Sequence, residues 1–222
     1  MNDEYVNING IKIHYREYPY NGETIFFLHF GFSLLAMWNS VIPFFEGKFR
    51  LILPDYRGHG LSDKPKSTYH IDEMADDIIA LMEKLNVEKA HFVRSSFGAE
   101  LSVNIAARYP QKVLSLVVEG SAMNNAYGPY GLSDSTEEEI VKEHEDLIKH
   151  VQASEVFYDS PEEMLKIIKD NYEPKGFWND HIRIITEYEI YETPEGKCSG
   201  TFPLWVSENY LKQYASFRFE EY

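Results

Sequence analysis

Up to about Ser121, short runs of β-branched and aromatic residues alternate with stretches in which apolar residues recur every three or four positions. That alternation predicts an α/β fold, with strands joined by crossover helices into a mostly parallel sheet. Tyr5 to Ile8 and Ile11 to Tyr18, separated by Asn9-Gly10, predict an edge hairpin, since Asn-Gly accepts the positive φ of a two-residue turn. Thr24 to His29 and Phe49 to Pro54 carry continuous apolar runs, the pattern of strands covered on both faces, and Ala90 to Arg94 and Val113 to Glu119 are two further strands. Ile71, Met74, Ala75, Ile78, Met82 and Leu85 lie on one stripe of a helix that must pack against the sheet. Leu101, Ile105 and Ala106 repeat the stripe until Tyr109-Pro110 stops it.

Beyond Ser121 the pattern changes, because strand-like runs become scarce and acidic amphipathic helices take over. Ser135-Thr136-Glu137-Glu138 has capping-box spacing, and Ser160-Pro161-Glu162-Glu163 adds a proline at the first helical position, so two helix starts are marked. From Phe157 onward aromatics crowd together: Tyr172, Phe177, Trp178, Tyr188, Tyr191, Phe202, Trp205 and Tyr210. They suit either a lid with an apolar inner surface or a small aromatic core that holds a helical insert together. The chain therefore divides into an α/β core, 1–121, and a helical cap, 122–222.

Composition narrows the partners. With 36 acidic against 21 basic residues the net charge is −15, which repels nucleic acid and anionic membrane surfaces alike. A single cysteine, Cys198, has no partner for an internal disulfide and fits a reducing compartment. The acidic N-terminus has no signal-peptide character and no apolar run is long enough to span a bilayer, so a soluble, cytoplasmic protein is expected. No metal or organic cofactor is expected, because the chain carries no dinucleotide or phosphate-binding glycine motif and no H-E-x-x-H.

The candidate chemistry centres on Ser96, in Lys89-Ala90-His91-Phe92-Val93-Arg94-Ser95-Ser96-Phe97-Gly98-Ala99-Glu100-Leu101. A strand that turns into a helix within a residue or two forces the turning residue into a cramped conformation. Its hydroxyl is pushed outward, and the helix N-terminus points at whatever binds there. Gly98 supplies the small neighbour such a turn needs, while Arg94 stands where the first glycine of G-x-S-x-G would be.

Three landmarks occur in order: His29-Phe30-Gly31-Phe32 followed by Met37-Trp38; Asp55-Tyr56-Arg57-Gly58-His59-Gly60-Leu61-Ser62; and Ser96 with a helix ending Ala106-Ala107-Arg108-Tyr109-Pro110. Together, over residues 4 to 121, they resemble the α/β-hydrolase superfamily, in its branch of esterases, C-C hydrolases and cofactor-free haloperoxidases with a helical cap. The resemblance implies Ser96 as nucleophile, with the N–H groups of Phe97 and of Gly31 or Phe30 as oxyanion donors. It also offers Glu119, at the end of the strand after the nucleophile helix, as the catalytic acid, a location used by certain haloalkane dehalogenases. The Phe30-Gly31 order is swapped relative to the family. His29 is read as pinning the loop, His59 as structural, and Arg57 as the partner of a carboxylate.

A serine hydroxyl needs an adjacent base, normally a histidine steadied by an acid. In the family both follow the last strands. Nothing after Thr201 reads as two more strands with a terminal histidine, which would take roughly 60 further residues, two βα units of about 30 each. The chain is expected to lack those C-terminal strands or to be a reduced form of the fold. His14, His70, His91, His144, His150 and His181 occupy no matching position. Arg94 is expected to be neutralised by Glu119 on the neighbouring strand, which would make that carboxylate structural.

The expected function is that of a serine hydrolase, a carboxylesterase acting on a small apolar ester. The alternatives are a catalytically inactive small-ligand binder or truncated remnant, and C-C hydrolysis or perhydrolysis at the same serine. The partner is a small apolar substrate or ligand, with neither nucleic acid nor membrane. Self-association is expected if the sheet ends in an open edge.

Overall fold

A computed structural model describes residues 2–67, 69–120, 125–127, 131–133, 136–154, 156–199 and 203–214. The edge hairpin is strand β1 (Asn2–Ile8) and β2 (Ile11–Tyr18). Asn9 and Gly10 turn at φ 48° and 78°, the two left-handed positions a tight turn between twisted strands requires. The sheet continues with β3 (Thr24–Leu28), β4 (Arg50–Pro54), β5 (Ala90–Ser95) and β6 (Val113–Glu119). Its strand order is β1-β2-β4-β3-β5-β6. β2 runs antiparallel to both of its neighbours, and β4, β3, β5 and β6 are parallel. The parallel strands bury their centres, whereas β6, the outer strand of the described sheet, leaves Leu114, Val117 and Val118 exposed.

Helices α1 (Ile71–Lys84) and α2 (Phe97–Arg108) are the crossovers into β5 and β6. They cover one face of the sheet, packing Met74, Ile78, Met82, Leu101 and Ile105 with Phe26, Leu28, Ile52 and Phe92. The other face, carrying Phe27, Leu51 and Leu53, is sealed by Leu34, Leu35, Trp38 and Ile42 from the segment after β3. Burying a side chain of this size stabilises the fold by about 1.5–3 kcal/mol each, so these two clusters set the strand positions on which the site depends. Both helices match their apolar stripes, and α2 stops before Pro110 as the ring and missing N–H of proline require.

The second half contains α3 (Glu137–Ser154), α4 (Pro161–Tyr172), α5 (Asp180–Tyr188) and α6 (Leu204–Tyr214). The α3 cap sits one residue later than the spacing predicted. Thr136 Oγ1 accepts from the Glu139 N–H at 3.3 Å, and the Glu139 carboxylate accepts from the Thr136 N–H at 2.8 Å; Ser135 lies outside the described residues. Ser160 caps α4 as expected, accepting from the Glu163 N–H at 3.2 Å. Helices α5 and α6 pack on the core clusters. Ile184, Ile185 and Tyr188 of α5 pack on the second cluster, and the Tyr188 hydroxyl accepts from Arg16 of β2 at 2.6 Å. Tyr210 and Leu211 of α6 join the first cluster.

The aromatic density after Phe157 does not form one inner surface: Phe157, Tyr172 and Phe177 are exposed, Tyr191 stacks edge-on with Trp205, and Tyr210 turns inward. Phe202 lies outside the described residues. Among the described residues no helix is long and apolar enough to cross a membrane.

Candidate active site

Ser96 is the single residue between β5 and α2, and its backbone stands at φ 47°, ψ −119°. A non-glycine residue holds such a conformation only where its surroundings impose it. Here they do. The Ser96 N–H donates to the Glu119 carbonyl at 3.1 Å, which ties the turn to β6. On the other side, a Cβ on Gly98 would lie 2.6 Å from the Leu28 carbonyl oxygen and 2.7 Å from that of His29. The first turn of α2 thus presses directly on the end of β3, and only glycine fits the contact. The exposed Ser96 hydroxyl faces an open pocket of about 250 Å³ lined by Gly31, Phe32, Ser96, Phe97, Glu100, Tyr210 and Leu211.

The pocket's second wall is the loop after β3. His29 is fully buried; its Nδ1 donates to the Phe30 carbonyl at 2.8 Å and its Nε2 accepts from the Tyr56 N–H at 3.4 Å. His59 is held in the same way, donating from Nδ1 to the Arg57 carbonyl at 2.9 Å and accepting at Nε2 from the Phe32 N–H at 3.1 Å. Burial pushes both imidazoles down, His29 to about 4 despite the nearby Asp55 carboxylate and His59 to about 3 with His29 beside it. Each ring is therefore neutral, with its tautomer set by the loop it supports. Burial alone would raise the Asp55 carboxyl; the His14 hydrogen bond, the neighbouring histidines and the Leu35 N–H pull it below its ordinary value. Arg57 pairs with carboxylates as expected, bidentate to Asp77 at 2.6 and 2.9 Å and to Glu73 at 2.8 Å.

The structure brings together Ser96, Phe97 and Gly31 on one pocket and leaves Phe30 and Glu119 outside its lining. The Phe30 carbonyl is occupied by His29 and by the Ser33 N–H, at 3.2 Å. Glu119 is exposed and accepts from the Ser95 hydroxyl at 2.5 Å.

The expected Arg94–Glu119 pair does not form. In the parallel register Ser95 lies opposite Glu119 and Arg94 opposite Val118, so Arg94 points to the other face of the sheet. There its guanidinium is fully buried under α2, donating to the Ser102 hydroxyl and to the Val117 carbonyl, the latter at 3.3 Å. Burial lowers its pKa to about 10, with Tyr56 opposing the shift.

Three other histidines have local tasks. His14 donates to Asp55 at 2.8 Å, His70 caps α1 by accepting from the Asp72 N–H, and His91 bonds the Ser115 hydroxyl. Among the described residues no histidine lines the pocket, and no three His, Cys, Asp or Glu side chains converge as metal ligands.

Sequence reasoning missed Glu100 and Leu211 and named Tyr210 only among the aromatics of a possible lid, without placing it at the pocket. Glu100 follows Ser96 by one helical turn, a spacing that could have revealed it. Nothing local marks Leu211 or singles Tyr210 out from the other aromatics; both reach the pocket through the placement of α6.

This arrangement of a strained serine between a parallel strand and a helix, facing a histidine-pinned loop, defines a class. Residues 23–157 match the alpha/beta hydrolase fold family, and the chain belongs to it. It is 38% identical over 112 residues to a 2-(acetamidomethylene)succinate hydrolase of Mesorhizobium japonicum, a match covering 50% of this chain and 40% of that protein. It is 34% identical over 88 residues to 3-oxoadipate enol-lactonase 2 of Acinetobacter baylyi, covering 40% of this chain and 33% of that one. The matched stretches thus span less than half of each relative. The crystal structure of an E-2-(acetamidomethylene)succinate hydrolase superposes with a TM-score of 0.71 at 27% identity, covering 96% of this chain and 73% of the other.

Proposed function

We propose that the protein carries serine-hydrolase chemistry, cleaving a small apolar carboxylic ester in the pocket beside Ser96. The observation that carries the reading is the Ser96 backbone, held at φ 47° with its hydroxyl in a pocket that Gly31 and Phe97 also line. Attack of the Ser96 oxygen on an ester carbonyl places negative charge on the carbonyl oxygen. The N–H of Phe97, among those at the start of α2 that no intrahelical carbonyl can reach, and that of Gly31 are the donors for that charge. Phe32, Phe97, Tyr210 and Leu211 make the walls mainly apolar, which favours an apolar acyl or alcohol group. The hydrolase and enol-lactonase names of the relatives support acyl-bond cleavage. Glu119, bonded to Ser95 at the solvent side, is better suited to tying β6 to β5 than to orienting a base. The buried Cys198 thiol fits a reducing, cytoplasmic setting.

A second reading is favoured by one observation. The proton of the Ser96 hydroxyl needs an acceptor, and no histidine lines the pocket among the described residues. A chain of this shape that lacked a base would bind a small ligand without turning it over. Labelling of the full chain with a fluorophosphonate separates the two. The expected outcome is one adduct on Ser96 that disappears in Ser96→Ala; a folded wild-type chain that takes no adduct overturns the hydrolase reading in favour of the binder.

A further inference from the structure

We propose that Tyr210 is the specificity-determining residue of the pocket, the side chain through which the cap limits the length of the group accepted beside Ser96. The inference rests on the reading of Ser96 as nucleophile. Tyr210 comes from α6 and is 6% exposed. Its ring meets that of Phe97 edge-on, with centroids 5.0 Å apart and planes at 72°, and that of Phe32 likewise at 4.8 Å and 70°. Rings locked edge to face form a stiff wall, because each has few rotamers and a preferred angle to the next. All three line the same pocket as Ser96.

The far end of the ring is fixed as well. A Cβ on Gly31 would stand 2.7 Å from the Tyr210 hydroxyl and 3.2 Å from the carbon bearing it, so the phenol tip rests on the backbone of the loop that supplies the oxyanion donor. Tyr210 is thereby braced between α6 and the loop after β3, on the pocket that Ser96 also lines. Core residues decide where the nucleophile and oxyanion donors stand, and one cap residue decides how much room lies beyond them. Group size is discriminated strongly in such a place, since one methylene in an apolar pocket changes transition-state binding by about 10- to 200-fold.

The test measures labelling of the full chain by fluorophosphonates whose phosphorus carries methyl, butyl or octyl groups. Wild type is expected to label faster with methyl and butyl than with octyl. In Tyr210→Ala and Tyr210→Leu the octyl-to-butyl rate ratio should rise about tenfold or more. Tyr210→Phe keeps the ring and loses only the hydroxyl that rests on the Gly31 loop, so it should raise the octyl-to-butyl ratio less than Tyr210→Leu does. Tyr210→Leu preserves apolar packing should the alanine variant not fold, and circular dichroism establishes which variants are compared. An unchanged ratio in a folded Ala or Leu variant overturns the inference while leaving the nucleophile reading intact. No labelling of wild type at any length overturns the nucleophile reading instead. Binding of n-alkyl methyl ketones followed by NMR then decides Tyr210: a longer accepted chain in Tyr210→Leu supports it, and the same cut-off as wild type refutes it.

Discussion

The two flanks of Ser96 are built on opposite principles. Behind the pocket, Asp55 is fully buried and accepts from His14 Nδ1 at 2.8 Å, the Leu35 N–H at 2.7 Å and the Leu61 N–H at 3.0 Å. His29 and His59 complete this interior cluster and hold the loop of Gly31. At the other flank, β6 touches the elbow through its backbone, while Glu119 stands in solvent bonded to Ser95. A buried polar group whose partner is removed has no water to turn to, whereas an exposed one does. The carboxylate that knits the interior flank together is Asp55, in the turn read as scaffold, while Glu119 bonds the Ser95 hydroxyl at the exposed flank.

The contrast is sharpest in Asp55→Ala, which strands the buried His14 ring and the buried Leu35 N–H and frees the partly buried Leu61 N–H. Its expected cost is about 3–5 kcal/mol, the range for removing one partner of a buried pair, measured by urea unfolding. A loss near 1 kcal/mol or less would mean that Leu35 and Leu61 find other acceptors and that the interior flank is no more demanding than the edge.

Acid should expose the same flank more gently. The unfolded chain protonates its histidines near pH 6.5, while folded His29 and His59 wait until about 4 and about 3, so between these values the unfolded state holds more protons. Stability from the two rings is then complete above about pH 6.5 and declines as pH falls toward 4, by at most roughly 3 kcal/mol per ring. Unfolding curves from pH 7 to 4 should show this slope, and it should flatten in His59→Gln. A slope untouched by that substitution would place the acid sensitivity elsewhere.

Glu119→Gln should do least, shifting stability by no more than about 0.5 kcal/mol, as for surface changes in general. Retained labelling of Ser96 in this variant would confirm the edge as dispensable. A large loss of labelling with stability intact would restore Glu119 as the acid and break the comparison.

Much of this was legible in the chain. Asn9-Gly10, the apolar runs of β3 and β4, the α1 stripe and the serine flanked by Gly98 each encode a local geometry, and each is found where its pattern placed it. The Arg94 partner was not legible, because which face a strand side chain takes depends on the register with its neighbour. Adjacency of the two strands alone puts Arg94 near Glu119; pairing Ser95 with Glu119 sends it the other way. The aromatic residues after Phe157 were equally ambiguous, since density along the chain does not say which rings turn inward.

What the sequence determined by itself is the set of local backbone geometries: a sharp strand-to-helix turn at Ser96, tolerable only beside a residue without a side chain, and a histidine-bearing loop after a buried strand. These follow from sterics and periodicity acting over a few residues. Tertiary structure alone decided that Tyr210 lines the pocket, that Asp55 gathers His14, Leu35 and Leu61 in the interior and that Glu119 is exposed. Such outcomes depend on contacts between segments distant in the chain, settled only when the buried clusters fix how the elements pack.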